Sequence, residues 1–195
     1  MARWHALTGL IGTLLQATTQ QLNGSAAFYL LDAKPLPVGH PVRPRRLRLR
    51  REAGAWFGKT SKGWFFGFKL HVLRHIDGCI VNLVWTPGNG DDRAPALAWL
   101  EGVEGGVTRG ALGYRGKQRA AEWAEEAGRL VLTRADAPEK KHLLAQVRQG
   151  IATSFSQLWH RFLDRVFSRS WLGLWNTVQR KVIHYNLCHA GVLSK

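Results

Sequence analysis

The sequence predicts an α/β fold in which helices cover a mixed β-sheet, and three observations support this prediction. Residues 63–89 alternate apolar and polar side chains around a central Asp-Gly pair, which is typical of an antiparallel hairpin. Strand-like and helix-like segments alternate between residues 107 and 135, which favours parallel strands. Apolar residues at helical spacing then fill the C-terminal part of the chain, so we expect helices to cover the sheet.

The N-terminal part of the chain predicts one helix and one short strand. The helix is expected over residues 3–21, where apolar side chains recur at helical spacing, and "NGS" at 23–25 ends it. The run "AAFYLLDAKPLPV" is typical of a strand. We expect this strand to end at Asp32, because three prolines that follow cannot continue a central strand: Pro35, Pro37 and Pro41.

The middle of the chain predicts a basic surface segment and then the hairpin. Residues 43–62 are rich in arginine and glycine, and we interpret them as a loop or a ragged strand. In the hairpin, "GWFFGFKLHV" forms the first strand, Asp77 and Gly78 form the turn, and "CIVNLVW" forms the second strand. "TPGNGDD" ends the hairpin, and "RAPALAWLEGV" predicts a short helix that Asp92 caps.

The remaining segments predict the alternating part of the fold. "VTRGALGY" at 107–114 is weakly strand-like, 116–128 predicts a helix that ends at Gly128, and 129–135 predicts a strand. Residues 139–169 predict a long helix with a break near Gly150, and 171–193 predict a closing helix.

The charge balance indicates a polyanionic partner. The chain has 195 residues, which fits one domain, with 28 Lys and Arg against 13 Asp and Glu, a formal net charge of +15 and a pI near 10.9. Nucleic acid is the commonest partner of such a chain. The generally arginine-rich coding of a GC-rich genome is the alternative explanation.

Cysteine usage and hydropathy indicate a cytoplasmic protein. Cys79 and Cys188 have no metal-ligand spacing and lie in apolar stretches, so we expect buried thiols in a reducing compartment. No apolar run approaches the ~18 residues that a membrane span needs, so no membrane partner is expected. The N-terminus lacks a signal-peptide cleavage site, which favours an amphipathic helix there.

Asp32 is the first candidate functional residue, because it follows the apolar run "FYLL". A carboxylate at the end of a strand can hold a metal ion on a rigid element. Taken alone, a turn-forming aspartate before proline explains it as well.

Six stretches occur in order along the chain: "LLDAKPLPV", "SKGWFFGFKLHV", "GCIVNLVWTPGNGDD", "GALGYRGK", "WHRFLDRVFS" and "IHYNLCHAG". Together they resemble the transposases of bacterial insertion sequences that carry a DDE catalytic triad on a ribonuclease-H-like fold. "GFKLHV" followed by "TPGN" is the most specific combination. The resemblance covers residues ~27–190 and implies a ribonuclease-H-like mixed sheet with C-terminal helices.

The resemblance implies phosphoryl transfer on DNA with two Mg²⁺ or Mn²⁺ ions held by three carboxylates. The first acid corresponds to Asp32, and the third to Asp164, where the family usually has Glu. The second falls on Ala111, whose methyl group cannot bind a metal. Asp92 matches an acid in the loop after the hairpin, and we treat it as a cap, an indirect supporting group or a further metal ligand.

The resemblance also implies DNA as the partner, both transposon ends and target, and leaves a homodimer open. The residues expected to contact phosphates are basic: Arg43, Arg45, Arg46, Arg48, Arg50, Arg51, Lys59, Lys62, Lys69, His71, Arg161 and Arg165. Residues 1–26 are expected to be the remnant of a longer N-terminal region, and 27–195 the transposase domain. Together with Ala111, this suggests a truncated and catalytically impaired copy of a mobile element.

Two alternatives stay open. An active nuclease or transposase would use Asp91 or Asp92 in place of the missing ligand. A basic nucleic-acid-binding module without catalytic ancestry would place Asp32 and Asp164 far apart in the fold.

Overall fold

The computed structural model of the chain describes residues 8–22, 28–39, 52–92, 95, 107–110, 131–132, 141–160, 168 and 170–193. These residues form three helices and six strands, in the order α1 (Thr8–Leu22), β1 (Phe28–Gly39), β2 (Trp56–Thr60), β3 (Gly63–His75), β4 (Ile80–Pro87), β5 (Val107–Gly110), β6 (Val131–Leu132), α2 (Lys141–Leu158) and α3 (Trp171–His189). The predicted helix at 116–128 lies outside the described residues, as does the one at 93–103 apart from residue 95.

The six strands form one mixed sheet. Its order is β2-β3-β1-β5-β6, and β4 also pairs with β3. Strand β3 is antiparallel to β1, β2 and β4, whereas β5 is parallel to both β1 and β6. The predicted α/β class is therefore confirmed, with an antiparallel hairpin followed by parallel strands, as the ribonuclease-H-like resemblance implied.

The hairpin forms where the alternation predicted it. The turn between β3 and β4 contains Asp77 and Gly78, and the Gly78 N–H donates to the His75 carbonyl at 3.1 Å. Gly78 has φ +122°, which side chains with a Cβ rarely adopt. The Asp-Gly pair thus supplies the backbone geometry that the reversal needs.

Strand β1 is longer than the sequence predicted. It continues past Asp32 to Gly39, and Pro35 and Pro37 pair in register with β3. From Asp32 onward, β1 pairs only with β3 among the described strands, because its pairing with β5 stops at Leu31. Proline is tolerated on such an edge, since no second neighbour needs its missing N–H.

Two other boundaries also differ from the sequence-based expectations. The basic segment at 43–62 contains a regular strand, β2, whose five residues pair with the start of β3. Helix α2 runs through Gly150 without the expected break. Strand pairing supplies β2 with backbone partners that its composition alone does not reveal, and one glycine costs a helix only about 1 kcal/mol.

The hydrophobic core lies between one face of the sheet and helices α2 and α3. Alternate residues of β3 contribute to it, and apolar residues at helical spacing on the two helices pack against them. The central members are Phe66, Phe68, Leu70, Val72, Phe155, Leu158, Leu174, Val178 and Val182. We call this side of the sheet the helix-covered face. Its packing fixes where the end of α2 lies relative to β1.

The N-terminal helix α1 packs against α3 and also contacts β4. Its observed bounds, 8–22, agree with the expected 3–21 over the described part. Cys79 and Cys188 are both buried and form no disulfide, as predicted. Within the described residues, no helix combines the length and apolar character that crossing a bilayer requires.

Candidate functional site

Asp32 lies on the helix-covered face of β1. Its partner across the ladder is Val72, a core residue, and its neighbours two positions away on the same face are Leu30 and Lys34. The side chain is only partly buried, and its Oδ1 accepts a hydrogen bond from the Ala33 N–H at 2.9 Å. Asp32 is thus a carboxylate on a rigid strand, at the boundary between core and solvent.

The β1–β5 ladder ends immediately before Asp32. Leu31 is paired with Gly110 in the parallel register, and each is the last paired residue of its strand in this ladder. Ala111 follows Gly110 in the sequence and lies outside the described residues. Gly110, the residue before position 111, therefore lies beside Leu31, the residue before Asp32.

The end of helix α2 lies over the same part of β1. Trp159 directly follows this helix, and the Lys34 Nζ is 4.8 Å from the centroid of its indole ring. The same ammonium is 6.0 Å from the centroid of Phe155, one turn earlier. Asp164 lies outside the described residues, and the described stretch that contains α2 ends at His160. The residues at the end of α2 thus lie on the face that carries Asp32.

Lys34 has an electrostatic environment unlike that of a solvated lysine. Burial lowers the pKa of its ammonium, the positive charge of Lys62 lowers it further, and the Asp32 carboxylate acts in the opposite direction. Lys62 belongs to the turn between β2 and β3. Two ammonium groups from different elements therefore act on each other near Asp32.

Asp92 forms an ion pair with a lysine of the opposite face. Its Oδ1 accepts from the Lys69 Nζ at 2.9 Å, and Lys69 also donates to the Gly90 carbonyl at 2.8 Å. Because side chains alternate along β3, Lys69 leaves the sheet on the side opposite to Val72 and Asp32. The structure does not bring Asp92 to Asp32, and Asp91 is exposed in the same loop.

His71 belongs to the same opposite face and is fully buried. Its Nε2 lies 3.0 Å from the Thr86 Oγ1. Burial lowers the pKa of its imidazole to about 4, while the nearby Asp92 carboxylate opposes this shift and Lys69 adds to it. A neutral, buried ring presents no charge to a phosphate, so this placement does not support the expected DNA contact of His71.

The basic residues predicted to contact DNA are distributed unequally. Lys59 and Lys62 are exposed at the end of the β2–β3 hairpin, where the Lys59 Nζ lies 5.7 Å from the ring centroid of the exposed Trp64. Lys69 is engaged with Asp92, as described above. The remaining ones lie outside the described residues: Arg43, Arg45, Arg46, Arg48, Arg50, Arg51, Arg161 and Arg165. Of the residues expected to contact DNA, Lys59 and Lys62 are thus the exposed ones in the described part of the chain.

The described residues do not by themselves fit a pair of divalent ions. An intact triad supplies three carboxylates. In the part of the chain that the structure describes, no three His, Cys, Asp or Glu side chains lie together as a metal site would require. Of the predicted ligands, Asp32 is described on the helix-covered face and Asp92 is bound to Lys69.

Sequence reasoning missed Lys34 and Trp159 as site residues. The signal for Lys34 was present, because period-two alternation places it on the same face as Asp32 once the strand is allowed to continue through Pro35. Trp159 carried no local signal, since only the packing of α2 on the sheet brings its ring to Lys34.

Comparison with known proteins gives a family match and similarities to solved structures. The model of the family described as "Transposase DDE domain" matches residues 23–165, which is more than half of the chain. No curated protein sequence is a significant match. Members of this family generally use divalent metal ions in acting on DNA.

Among solved structures, the chain is similar to one described as "Mos1 transposase paired-end complex with left transposon end". The identity is 13%, the TM-score is 0.33, and the match covers 98% of this chain and 62% of that chain. The chain thus spans less than two thirds of that transposase chain. The family match over residues 23–165 carries the assignment: this chain belongs to the DDE transposase domain family.

Proposed function

We propose that the chain is the DNA-processing domain of an insertion-sequence transposase, in a copy whose strand cleavage is impaired. The observation that carries this proposal is the pairing of Leu31 with Gly110. It brings the residue before Ala111 alongside the residue before Asp32, as expected if positions 32 and 111 serve one site. An alanine there supplies no oxygen to a metal ion.

The role of each residue in this proposal follows from its side-chain chemistry. When bound, Mg²⁺ or Mn²⁺ would activate the attacking oxygen and stabilise the leaving oxygen of a DNA strand. Asp32 would be one ligand and Asp164 a second. Lys59 and Lys62 would hold backbone phosphates of transposon-end or target DNA, because both ammonium groups are exposed at the hairpin end.

The alternative in which Asp92 replaces the missing ligand has less support. The Asp92 carboxylate is engaged by Lys69, which leaves the sheet on the side away from Asp32. Asp92 would have to leave that ion pair and move around the edge of the sheet to reach a metal at Asp32.

Two assays on the purified chain test the proposal. The affinity for a labelled DNA duplex is measured by fluorescence anisotropy at several salt concentrations, and nicking of supercoiled plasmid is measured with Mg²⁺ and with Mn²⁺. We expect affinity that falls steeply with salt, and nicking no greater than that of the Asp32→Asn variant.

Each assay can contradict one part of the proposal. An affinity that is absent or insensitive to salt would contradict the DNA-binding role. If the unmodified chain nicked the plasmid and the Asp32→Asn variant did not, the chain would be an active enzyme. That result would contradict the proposed impairment of strand cleavage. If Asp92→Asn abolished that nicking as well, the carboxylate of Asp92 would be the replacement ligand.

A further inference from the structure

Lys34 is held in place before any ligand arrives. Its ammonium lies within 4.8 Å of the Trp159 ring centroid and 6.0 Å of the Phe155 ring centroid. The two rings pack edge-to-face with their centroids 6.0 Å apart, and Phe155 is buried in the core. A free lysine side chain loses rotamer entropy when it binds a ligand, and aromatic contacts that already restrict the side chain lower that cost.

The charges around Lys34 favour an anion. Lys34 shares a face of β1 with Asp32, and the positive charge of Lys62 also acts on it. Two ammonium groups and one carboxylate leave a net positive charge on these three side chains. A phosphate placed beside Lys34 would accept a charge-assisted hydrogen bond from its ammonium.

In an intact triad, metal ions offset the repulsion between DNA and the catalytic carboxylates. Here the carboxylate expected at position 111 is absent from the sequence, while Lys34 places a fixed cation two residues after Asp32. We infer that Lys34 binds a backbone phosphate of DNA next to Asp32, so that DNA enters this site without a divalent ion. This inference rests on the proposed function, because it takes DNA as the partner.

The test measures DNA binding in the presence of EDTA, by anisotropy of a labelled duplex over a range of salt concentrations. Lys34→Met removes the charge and keeps most of the side-chain length, and Lys34→Arg keeps the charge. Lys181→Met is the matched control, because Lys181 is a partly buried lysine on α3 whose pKa is also lowered by burial.

We expect Lys34→Met to weaken binding about tenfold and to reduce the slope of log affinity against log salt by about 0.9, the loss of one phosphate contact. Lys34→Arg should retain most of the affinity, and Lys181→Met should stay within about twofold of the unmodified chain. Trp159→Leu, which removes the supporting ring but keeps the lysine, should weaken binding by less than Lys34→Met does.

The outcomes separate this inference from the proposed function. If the unmodified chain binds DNA with a salt slope but Lys34→Met leaves affinity and slope unchanged, the inference is wrong and the proposed function stands. An equal loss in Lys34→Met and Lys181→Met would also overturn it, as would binding that requires Mg²⁺. If the unmodified chain does not bind DNA at all, both proposals fail. Circular dichroism establishes that each variant is folded, and Trp159→Leu tests the inference should Lys34→Met not fold.

Discussion

Leu31 and Gly110 lie opposite each other at the end of the parallel ladder between β1 and β5. The next residue of one strand is Asp32, a carboxylate, and the next residue of the other is Ala111, a methyl group. In the resemblance to DDE transposases, both positions carry acids. Because of this pairing, the alanine at position 111 supports a specific hypothesis: the site near Asp32 lacks one of its metal ligands.

Restoring the acid is the most direct prediction. Ala111→Asp should raise Mg²⁺- or Mn²⁺-dependent plasmid nicking by at least about tenfold over the unmodified chain, because it returns a ligand to a site that needs three. Ala111→Asn, similar in shape but uncharged, should stay near background, and adding Asp32→Asn to Ala111→Asp should abolish the gain. An Ala111→Asp variant that binds DNA but does not nick would count against a latent metal site.

Asn186 is one of the α3 side chains that form hydrogen bonds with the hairpin, beside Tyr185 and His189. Asn186 is fully buried; its Oδ1 accepts from the Ile80 N–H at 2.9 Å, and its Nδ2 donates to the Ile80 carbonyl at 2.8 Å. Asn186→Leu leaves both backbone groups without these partners, so we expect the free energy of unfolding to fall by about 2–4 kcal/mol in urea titrations. Leu172→Ala, at an exposed position on the same helix, should change it by less than about 1 kcal/mol. Equal effects of the two substitutions would contradict this role of Asn186.

The turn glycine is constrained twice. Gly78 has φ +122°, and a Cβ there would overlap the ring of His189, which would have to move. Gly78→Ala should therefore lower the free energy of unfolding by about 1–3 kcal/mol, as measured by thermal or urea unfolding. Gly9→Ala is the matched control, since nothing lies within 4 Å of a Cβ at this helical position, and it should be neutral or stabilising. A neutral Gly78→Ala would mean that the turn relaxes easily.

Buried His71 should make stability depend on pH. Its pKa is lowered from 6.5 to about 4, so between these values the unfolded chain binds a proton that the folded chain does not. The free energy of unfolding should therefore fall as the pH drops from about 6.5 towards 4, by up to about 3 kcal/mol from this residue. Above pH 6.5 His71 is neutral in both states and contributes no slope.

The pH prediction is checked by urea titrations at several pH values on the unmodified chain and on His71→Gln. The variant cannot gain the proton, so the acid-side loss of stability should be smaller in it than in the unmodified chain. Identical pH dependence in both proteins would show that His71 does not carry this linkage. The two proteins differ at this one residue, so the difference between the two curves reports the contribution of His71.

Local sequence patterns determined much of this protein. Alternating apolar residues and the Asp77–Gly78 pair predicted the β3–β4 hairpin, and both are found, because strand faces and turn conformations depend on neighbouring residues. The ordered motifs indicated the DDE transposase family, which the match over residues 23–165 bears out. The alanine at position 111 is likewise a property of the sequence.

Only the tertiary structure determined which side chains lie close together. It continued β1 past two prolines, because only one edge of that stretch is paired within the described sheet. It directed Lys69 and Asp92 to one face and Asp32 to the other, and it brought Trp159 to Lys34 through the packing of α2. The alternation of side chains along a strand determines which residues share a face. The contacts that such a face makes depend on how the whole core packs, so the sequence alone could not show which of these residues lie together.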